Sequence, residues 1–243
     1  MLISKKFVPS LFTILNSFCG FMSIIYSSQS EIELASYFII YAAFFDLLDG
    51  AVARLLRSSS DFGVELDSLS DVVSFGAAPS FLLYSIYFKI LNSTGIFLAS
   101  LFLIFSSIRL ARFNVELTGH DKDKFSGLPT PIATLTLISY TLFYHNKLFD
   151  AETSIIFITG IAIIIPLLMV SKFSYPASPK IDKTFFKKHY LLLIILLLSI
   201  ISVIVSKGYA LFIIFLIYIC SGIFRSLFGL LYKKERIKRK IKI

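Results

Sequence analysis

Two pairs of aspartates carry the chemistry this chain can do: Asp46 and Asp49 in Asp46-Leu-Leu-Asp49-Gly50-Ala-Val-Ala53-Arg54, and Asp67 and Asp71 in Gly63-Val-Glu-Leu-Asp67-Ser-Leu-Ser-Asp71. Set three and four residues apart, the members of each pair share one face of an α-helix, separated by about 4.5 and 6 Å of rise. Two such faces opposed make one acidic pocket. Carboxylates about 4 Å apart repel by roughly 4 kcal/mol per pair at an effective dielectric of about 20. Four of them therefore call for a bound divalent cation, or two. All-oxygen ligation favours Mg²⁺ or Mn²⁺ over zinc.

Around the aspartates stand residues suited to a phosphorylated ligand. Gly50 and Gly63 remove side chains where backbone and ligand approach closely, and Ala53, one turn after Gly50, keeps the same surface low. The alternative for these small residues is close packing between membrane helices. Arg54 offers a forked donor to a phosphate, or serves as an interfacial anchor. Glu65 lies between the pairs but off their register and is read as bracing a neighbour.

The elements that must position these groups are apolar. The chain of 243 residues is 56% hydrophobic with a mean hydropathy of +0.82, and its apolar segments approach the roughly 20 residues needed to cross about 30 Å of hydrocarbon. This predicts an all-α polytopic membrane bundle of about eight spans, at 10–27, 34–56, 69–89, 96–115, 128–145, 153–171, 189–206 and 208–232. The second and third spans bring the aspartates to one side of the bilayer through the polar stretch Arg57-Ser-Ser-Ser-Asp61. With the N-terminus inside, 20 of the 24 basic residues fall on cytoplasmic segments; the opposite face receives Lys89, Lys147 and Lys207, and Arg225 lies inside the last span. The positive-inside rule then places the acidic site and both termini at the cytoplasmic face.

A net charge of +9 needs no nucleic acid, because cytoplasmic loops and a basic tail at 233–243 drawn to anionic headgroups account for it. Lys5-Lys6 before an apolar run imitates a signal peptide, but Ser27-Ser-Gln-Ser30 is a poor cleavage site and further spans follow, so the segment is read as a retained helix. Cys19 and Cys220 lack metal-type spacing and are expected to be small core residues. No internal repeat or soluble domain interrupts the chain, which reads as a single membrane domain over 1–243.

The pattern Asp46-x-x-Asp49-Gly50-x-x-Ala53-Arg54, eight residues, then Gly63-x-x-x-Asp67-x-x-x-Asp71 resembles the signature of the CDP-alcohol phosphotransferase family, with all eight fixed positions filled. Three further stretches are similar to the serine-using branch of that family. They are Pro9-x-x-x-Thr13-x-x-Asn16-x-x-x-Gly20-Phe21, the extension from Asp67 to Pro79, and Arg109-Leu-Ala-Arg112-Phe-Asn114 with Gly127-Leu-Pro-Thr-Pro131. Lys172 and the following Tyr175-Pro176 complete the likeness, giving a motif core over 9–180. One departure is Ser10, where many relatives carry asparagine.

The resemblance implies transfer of the phosphatidyl group from CDP-diacylglycerol to the hydroxyl of L-serine, giving phosphatidylserine and CMP, in a homodimeric membrane protein. Asp46, Asp49, Asp67 and Asp71 would hold the metals, with Asp71 also the general base. Thr13 and Asn16 would face the same pocket and contact cytidine, or else bond helix to helix. Serine carries a carboxylate and an ammonium, so its pocket pairs a cation with an acceptor. Arg109, Arg112 and Asn114 supply both, with interfacial anchoring as the alternative. Lys122, Lys124 and Lys172 can collect anionic substrate, with a solvated loop charge as the alternative for Lys122 and Lys124. His120, His145 and His189 show no partner spacing and are read as interfacial. The competing functions are transfer to another alcohol, such as glycerol 3-phosphate or inositol phosphate, and cation transport through intramembrane carboxylates.

Overall fold

The computed structural model describes residues 7–56, 60–118, 127–145, 147–173, 175 and 190–241. Among them there is no strand beyond one isolated bridge between His145 and Phe149, and the all-helical expectation holds. Helices α1 (Phe7–Ser28) and α2 (Ile32–Leu56) form an antiparallel hairpin, closed by a turn in which Ser30 takes φ 64°. Next come α3 (Asp61–Asp71), a π-helical stretch (Val72–Ala77), α4 (Ala78–Leu83) and a second π-helical stretch (Tyr84–Phe88). A short 3₁₀ turn, Lys89–Leu91, leads into α5 (Asn92–Thr118). The remaining helices are α6 (Thr130–Phe143), α7 (Ala151–Met169), α8 (Tyr190–Val205) and α9 (Tyr209–Ile241).

Four helical stretches among the described residues are long and apolar enough to cross a membrane: Val8–Ser28, Asp61–Val115, Glu152–Met169 and Tyr209–Phe228. The second is not one rod. At Asn92 the backbone leaves the helical region (φ 49°, ψ −126°), and α5 runs back along α4 so that the Ser80 hydroxyl donates to the Ala99 carbonyl at 2.7 Å. These four stretches fall short of the eight spans expected: α2 is not among them, the third and fourth expected spans lie in the one stretch Asp61–Val115, and α6 and the apolar part of α8 are shorter than a crossing needs. The third span also begins earlier than expected: Ser60 caps α3 through its hydroxyl, which accepts from the Gly63 amide at 3.1 Å, and this carries Asp67 and Asp71 well inside a helix.

The largest core cluster gathers Leu83, Phe88, Phe102, Leu137, Tyr140 and Ile158 from α4 through α7 and its neighbouring turns. Small hydroxyl residues bond across helix crossings near the aspartates: Ser70 to the Thr13 carbonyl at 2.7 Å, Ser74 to the Asn16 carbonyl at 2.9 Å, and Thr134 to the Phe75 carbonyl at 2.9 Å. The π-helical stretch just after Asp71 suits this role, because its altered ladder lets carbonyls turn toward neighbouring helices. Cys19 is buried as expected, whereas Cys220 is exposed on α9; its position on an outward face of that helix corrects the core reading.

The α1 crossing is close because residue 20 is glycine: a Cβ there would lie 2.7 Å from Ser74 Oγ and 2.8 Å from Ser74 Cα. Gly20→Val is therefore expected to destabilise the protein by about 1–3 kcal/mol through overpacking. Thermal unfolding in detergent checks this; an unchanged midpoint would mean that α1 and Val72–Ala77 do not depend on that approach.

Candidate active site

Helices α1, α2 and α3 meet at the aspartates. Asp46, Asp49 and Asp67 each present a carboxylate oxygen, and these three atoms lie within 4.8 Å of one another. Asp71 sits behind them, 7% exposed, beside Asp46, and its Oδ1 accepts from Asn16 Nδ2 at 3.2 Å. Asp49 Oδ2 accepts from the Thr13 hydroxyl at 3.0 Å. So Thr13 and Asn16, one turn apart on α1, each hold one aspartate from a different helix, and the helix-to-helix bonding foreseen for them is realised.

Charge compensation within the protein is thin. Among the described residues Lys147 and Glu33 form an ion pair at 3.6 Å, and no ion pair reaches the four aspartates. Asp67 Oδ1 and Asn16 Oδ1 are buried with no hydrogen-bond partner. A bare carboxylate oxygen among like charges is costly. Converging hard oxygens with one lone pair unclaimed are what a hard divalent cation requires, so the residues present fit a metal.

A cleft opens beside the cluster. Gly50, Ala53 and Gly63 form its floor, and Pro9, Ser10 and Thr13 of α1 form one wall, with Asp49 and Asp67 at its edge. The Arg54 side chain folds back over Gly50, with Nη1 3.3 Å from where a Cβ would stand, so this glycine makes room for the guanidinium. At Gly63 an added Cβ would meet only the Ser60 hydroxyl, at 3.1 Å. Small residues backed by an arginine leave the cleft open beside the acidic group. Glu65 is exposed and stands outside the acidic group.

The second group of expected residues is near but separate. Asn114 and Ser68 exchange hydrogen bonds at 2.9 and 3.1 Å, which ties the end of α5 to α3 one residue from Asp67. Arg109 Nη1 donates to the Thr130 hydroxyl at 3.2 Å, and its guanidinium lies 5.3 Å from the centre of the Phe113 ring. Arg112 Nη1 donates to the Val170 carbonyl at 3.3 Å. Both arginines thus face the junction of α5, α6 and the end of α7 rather than the cleft floor. Lys172 is exposed just beyond that junction. His145 packs its ring against Tyr87 with centroids 4.8 Å apart and is not part of the acidic group. Lys5, Lys6, Arg57, His120, Lys122, Lys124 and His189 lie outside the described residues.

Several working residues gave no sign of their role in the sequence. Ser60 caps α3, Ser68 holds Asn114, and Ser70 and Ser74 bond to α1 carbonyls. The three- and four-residue steps from Asp67 to Ser70, Asp71 and Ser74 are the one pattern that could have suggested a polar helix face.

A family model described as CDP-alcohol phosphatidyltransferase matches residues 6–171. The chain is 36% identical over 222 residues to the CDP-diacylglycerol–serine O-phosphatidyltransferase of Helicobacter pylori strain J99, covering 90% of this chain and 91% of that protein. It is 36% identical over 184 residues to the protein of the same name from Bacillus subtilis, covering 76% and 93%. It is also 39% identical over 173 residues to the archaetidylserine synthase of Methanothermobacter thermautotrophicus, covering 70% and 69%.

Proposed function

Because the chain belongs to the CDP-alcohol phosphatidyltransferase family, we propose that it is an integral membrane enzyme that transfers the phosphatidyl group of CDP-diacylglycerol to L-serine, releasing CMP. The observation that most supports this reading is the trio of converging carboxylates beside a small-residue cleft, with a fourth aspartate bonded behind them. Serine as the acceptor is supported by the names of the relatives from Helicobacter pylori, Bacillus subtilis and Methanothermobacter thermautotrophicus.

In the reaction the serine hydroxyl oxygen forms a bond to the β-phosphorus, and the bond from that phosphorus to the oxygen of the departing CMP breaks. Asp46, Asp49, Asp67 and Asp71 would hold Mg²⁺ or Mn²⁺, two ions in our reading, which when bound neutralise pyrophosphate charge and favour departure of CMP. Asp71, set behind the other three carboxylates, takes the hydroxyl proton as general base. Asn16 fixes Asp71 by donating its amide to Oδ1. Thr13 likewise orients Asp49. Arg54, folded over Gly50, donates to a phosphate oxygen, and Gly50, Ala53 and Gly63 admit the nucleotide. Arg109, Arg112 and Asn114 bind the serine headgroup, with Lys172 gathering anionic substrate.

The reading extends to the setting of the site. Eight spans, a single domain over 1–243 and a cytoplasmic active site follow from apolar periodicity and from the distribution of basic residues. A homodimer rests on the family resemblance.

The decisive test is CMP release by the purified protein with CDP-diacylglycerol and a panel of alcohols. Serine-dependent release with phosphatidylserine as the lipid product is the expected result; release driven instead by glycerol 3-phosphate or inositol phosphate would replace the acceptor. In the same assay Arg109→Ala or Arg112→Ala is expected to raise the serine KM roughly thirtyfold, a loss of about 2 kcal/mol for a charged group deprived of its partner. The KM for CDP-diacylglycerol should stay near its original value, and a parallel rise in both constants would assign the arginines to the donor lipid.

A further inference from the structure

Arg225 is a cation set within the apolar part of α9. It lies sixteen residues after Tyr209, the first residue of the helix, or about 24 Å at 1.5 Å per residue. That is short of the roughly 30 Å thickness of the hydrocarbon. An ionisable group at such a depth costs free energy and is retained where it has work to do. The helix also lies beyond residue 171, where the family match ends.

Tyr218, Gly222 and Arg225 follow one another at i, i+4 and i+7, so they form one stripe along α9. That stripe is packed. The Tyr218 ring stacks on Tyr175 with centroids 5.7 Å apart and planes 24° from parallel. Gly222 lets the Tyr175 ring lie directly on the helix backbone, since a Cβ there would overlap the ring. Tyr175 is 4% exposed, and its hydroxyl is buried without a hydrogen-bond partner. The chain leading to Tyr175 is pinned to the start of α6: the Gly127 amide donates to the Phe173 carbonyl at 2.8 Å and the Leu128 amide to the Leu168 carbonyl at 3.0 Å. Two residues further on is Thr130, which accepts from Arg109. Tyr218 accordingly stands within electrostatic reach of both Arg109 and Arg225. Arg225 stands one turn beyond Gly222 on the stripe that Tyr175 covers, and its side chain is exposed.

We propose that Arg225 is a second cation of the acceptor site, pairing with Arg109 on the carboxylate of an amino-acid acceptor, and that the Tyr175–Tyr218 stack positions it. This rests on the serine reading above. A guanidinium binds a carboxylate through two parallel hydrogen bonds, a geometry that lysine cannot reproduce, whereas an interfacial anchor needs only positive charge.

The test compares serine with serinol, which keeps the hydroxyl and ammonium but lacks the carboxylate, using the full-length protein in lipid nanodiscs. The ratio of kcat/KM for the two acceptors on one preparation does not depend on the fraction of protein that is folded. Arg225→Gln is expected to lower the serine-over-serinol ratio about tenfold or more through the serine KM, with the CDP-diacylglycerol KM within about twofold of the parent. Arg225→Lys should recover only part of the ratio, and Gly222→Leu, which displaces Tyr175, should lower it in the same direction. An unchanged ratio in Arg225→Gln, or full recovery by lysine, overturns the proposal in favour of an anchor. A raised CDP-diacylglycerol KM with an unchanged ratio overturns it in favour of a donor-side cation. Should the parent protein show no serine-dependent CMP release, the acceptor reading itself falls; a parent that prefers serine beside an Arg225→Gln variant that prefers it equally sinks the Arg225 assignment alone.

Discussion

Asp67→Asn is expected to abolish phosphatidyl transfer, and EDTA to do the same reversibly. The substitution keeps the shape of the side chain and removes one of three charges whose oxygens lie within 4.8 Å of each other. It also converts Asp67 Oδ1, a buried oxygen that no protein group satisfies, into part of a neutral amide. A hard cation held by carboxylates loses much of its binding free energy with each charge removed. Asp49→Asn should behave alike. A second readout separates metal binding from collapse of the fold: added Mg²⁺ should raise the unfolding temperature of the parent and leave that of Asp67→Asn nearly unmoved, because a ligand stabilises only the state that binds it. In EDTA the variant should be at least as stable as the parent, since one like charge has been taken from a crowded group. Retention of more than about a tenth of the parent's activity by either variant would sink the metal assignment.

Asp71→Asn is expected to cut kcat by roughly 10²–10⁴, the range usual for loss of a general base, while the affinity for CDP-diacylglycerol falls far less. The asparagine can still accept the bond from Asn16 Nδ2, so the crossing of α1 with α3 is preserved. The amide cannot take the proton of the attacking hydroxyl. Steady-state kinetics together with CDP-diacylglycerol binding to the variant provide the check. Equal losses in affinity and turnover would make Asp71 a metal-holding residue and leave the base to be found elsewhere.

The two assignments meet at one difficulty, which is that Asp71 is asked both to help hold cations and to accept a proton. The packing offers a division of labour. Asp46, Asp49 and Asp67 form the convergent set, while Asp71 is set behind them and bound by an amide from α1. Comparing Mg²⁺-induced stabilisation in Asp71→Asn and in Asp67→Asn would measure how far that division goes.

Much of the site was legible in the chain itself. Helical geometry alone puts residues three and four apart on one face, so Asp46 with Asp49 and Asp67 with Asp71 are adjacent in any helical fold. The hydrophobicity of the surrounding residues confines the backbone to helices, because peptide groups in hydrocarbon must bond within their own segment. An all-helical fold follows from that. Residues 57–59, between α2 and α3, lie outside the described residues.

What only the tertiary structure decided concerns contacts between residues far apart in the chain. Thr13 could have met any polar group at its depth; the hairpin of α1 and α2 brings it to Asp49, 36 residues on, and the tight crossing at Gly20 brings Asn16 to Asp71, 55 residues on. Arg109 and Arg112 read as a pair on one helix, yet each is aimed by a different partner, Thr130 and the Val170 carbonyl. Cys220 looked like a core residue by its apolar surroundings, but in a membrane the outward face of a helix is as apolar as the inward one, and composition cannot tell them apart. The same ambiguity hid the stripe Tyr218–Gly222–Arg225, whose meaning appears only where Tyr175 lies on it. Local spacing determines which side chains share a face, because helix geometry is a property of the backbone; which faces meet depends on packing among all the helices, and no single segment contains that information.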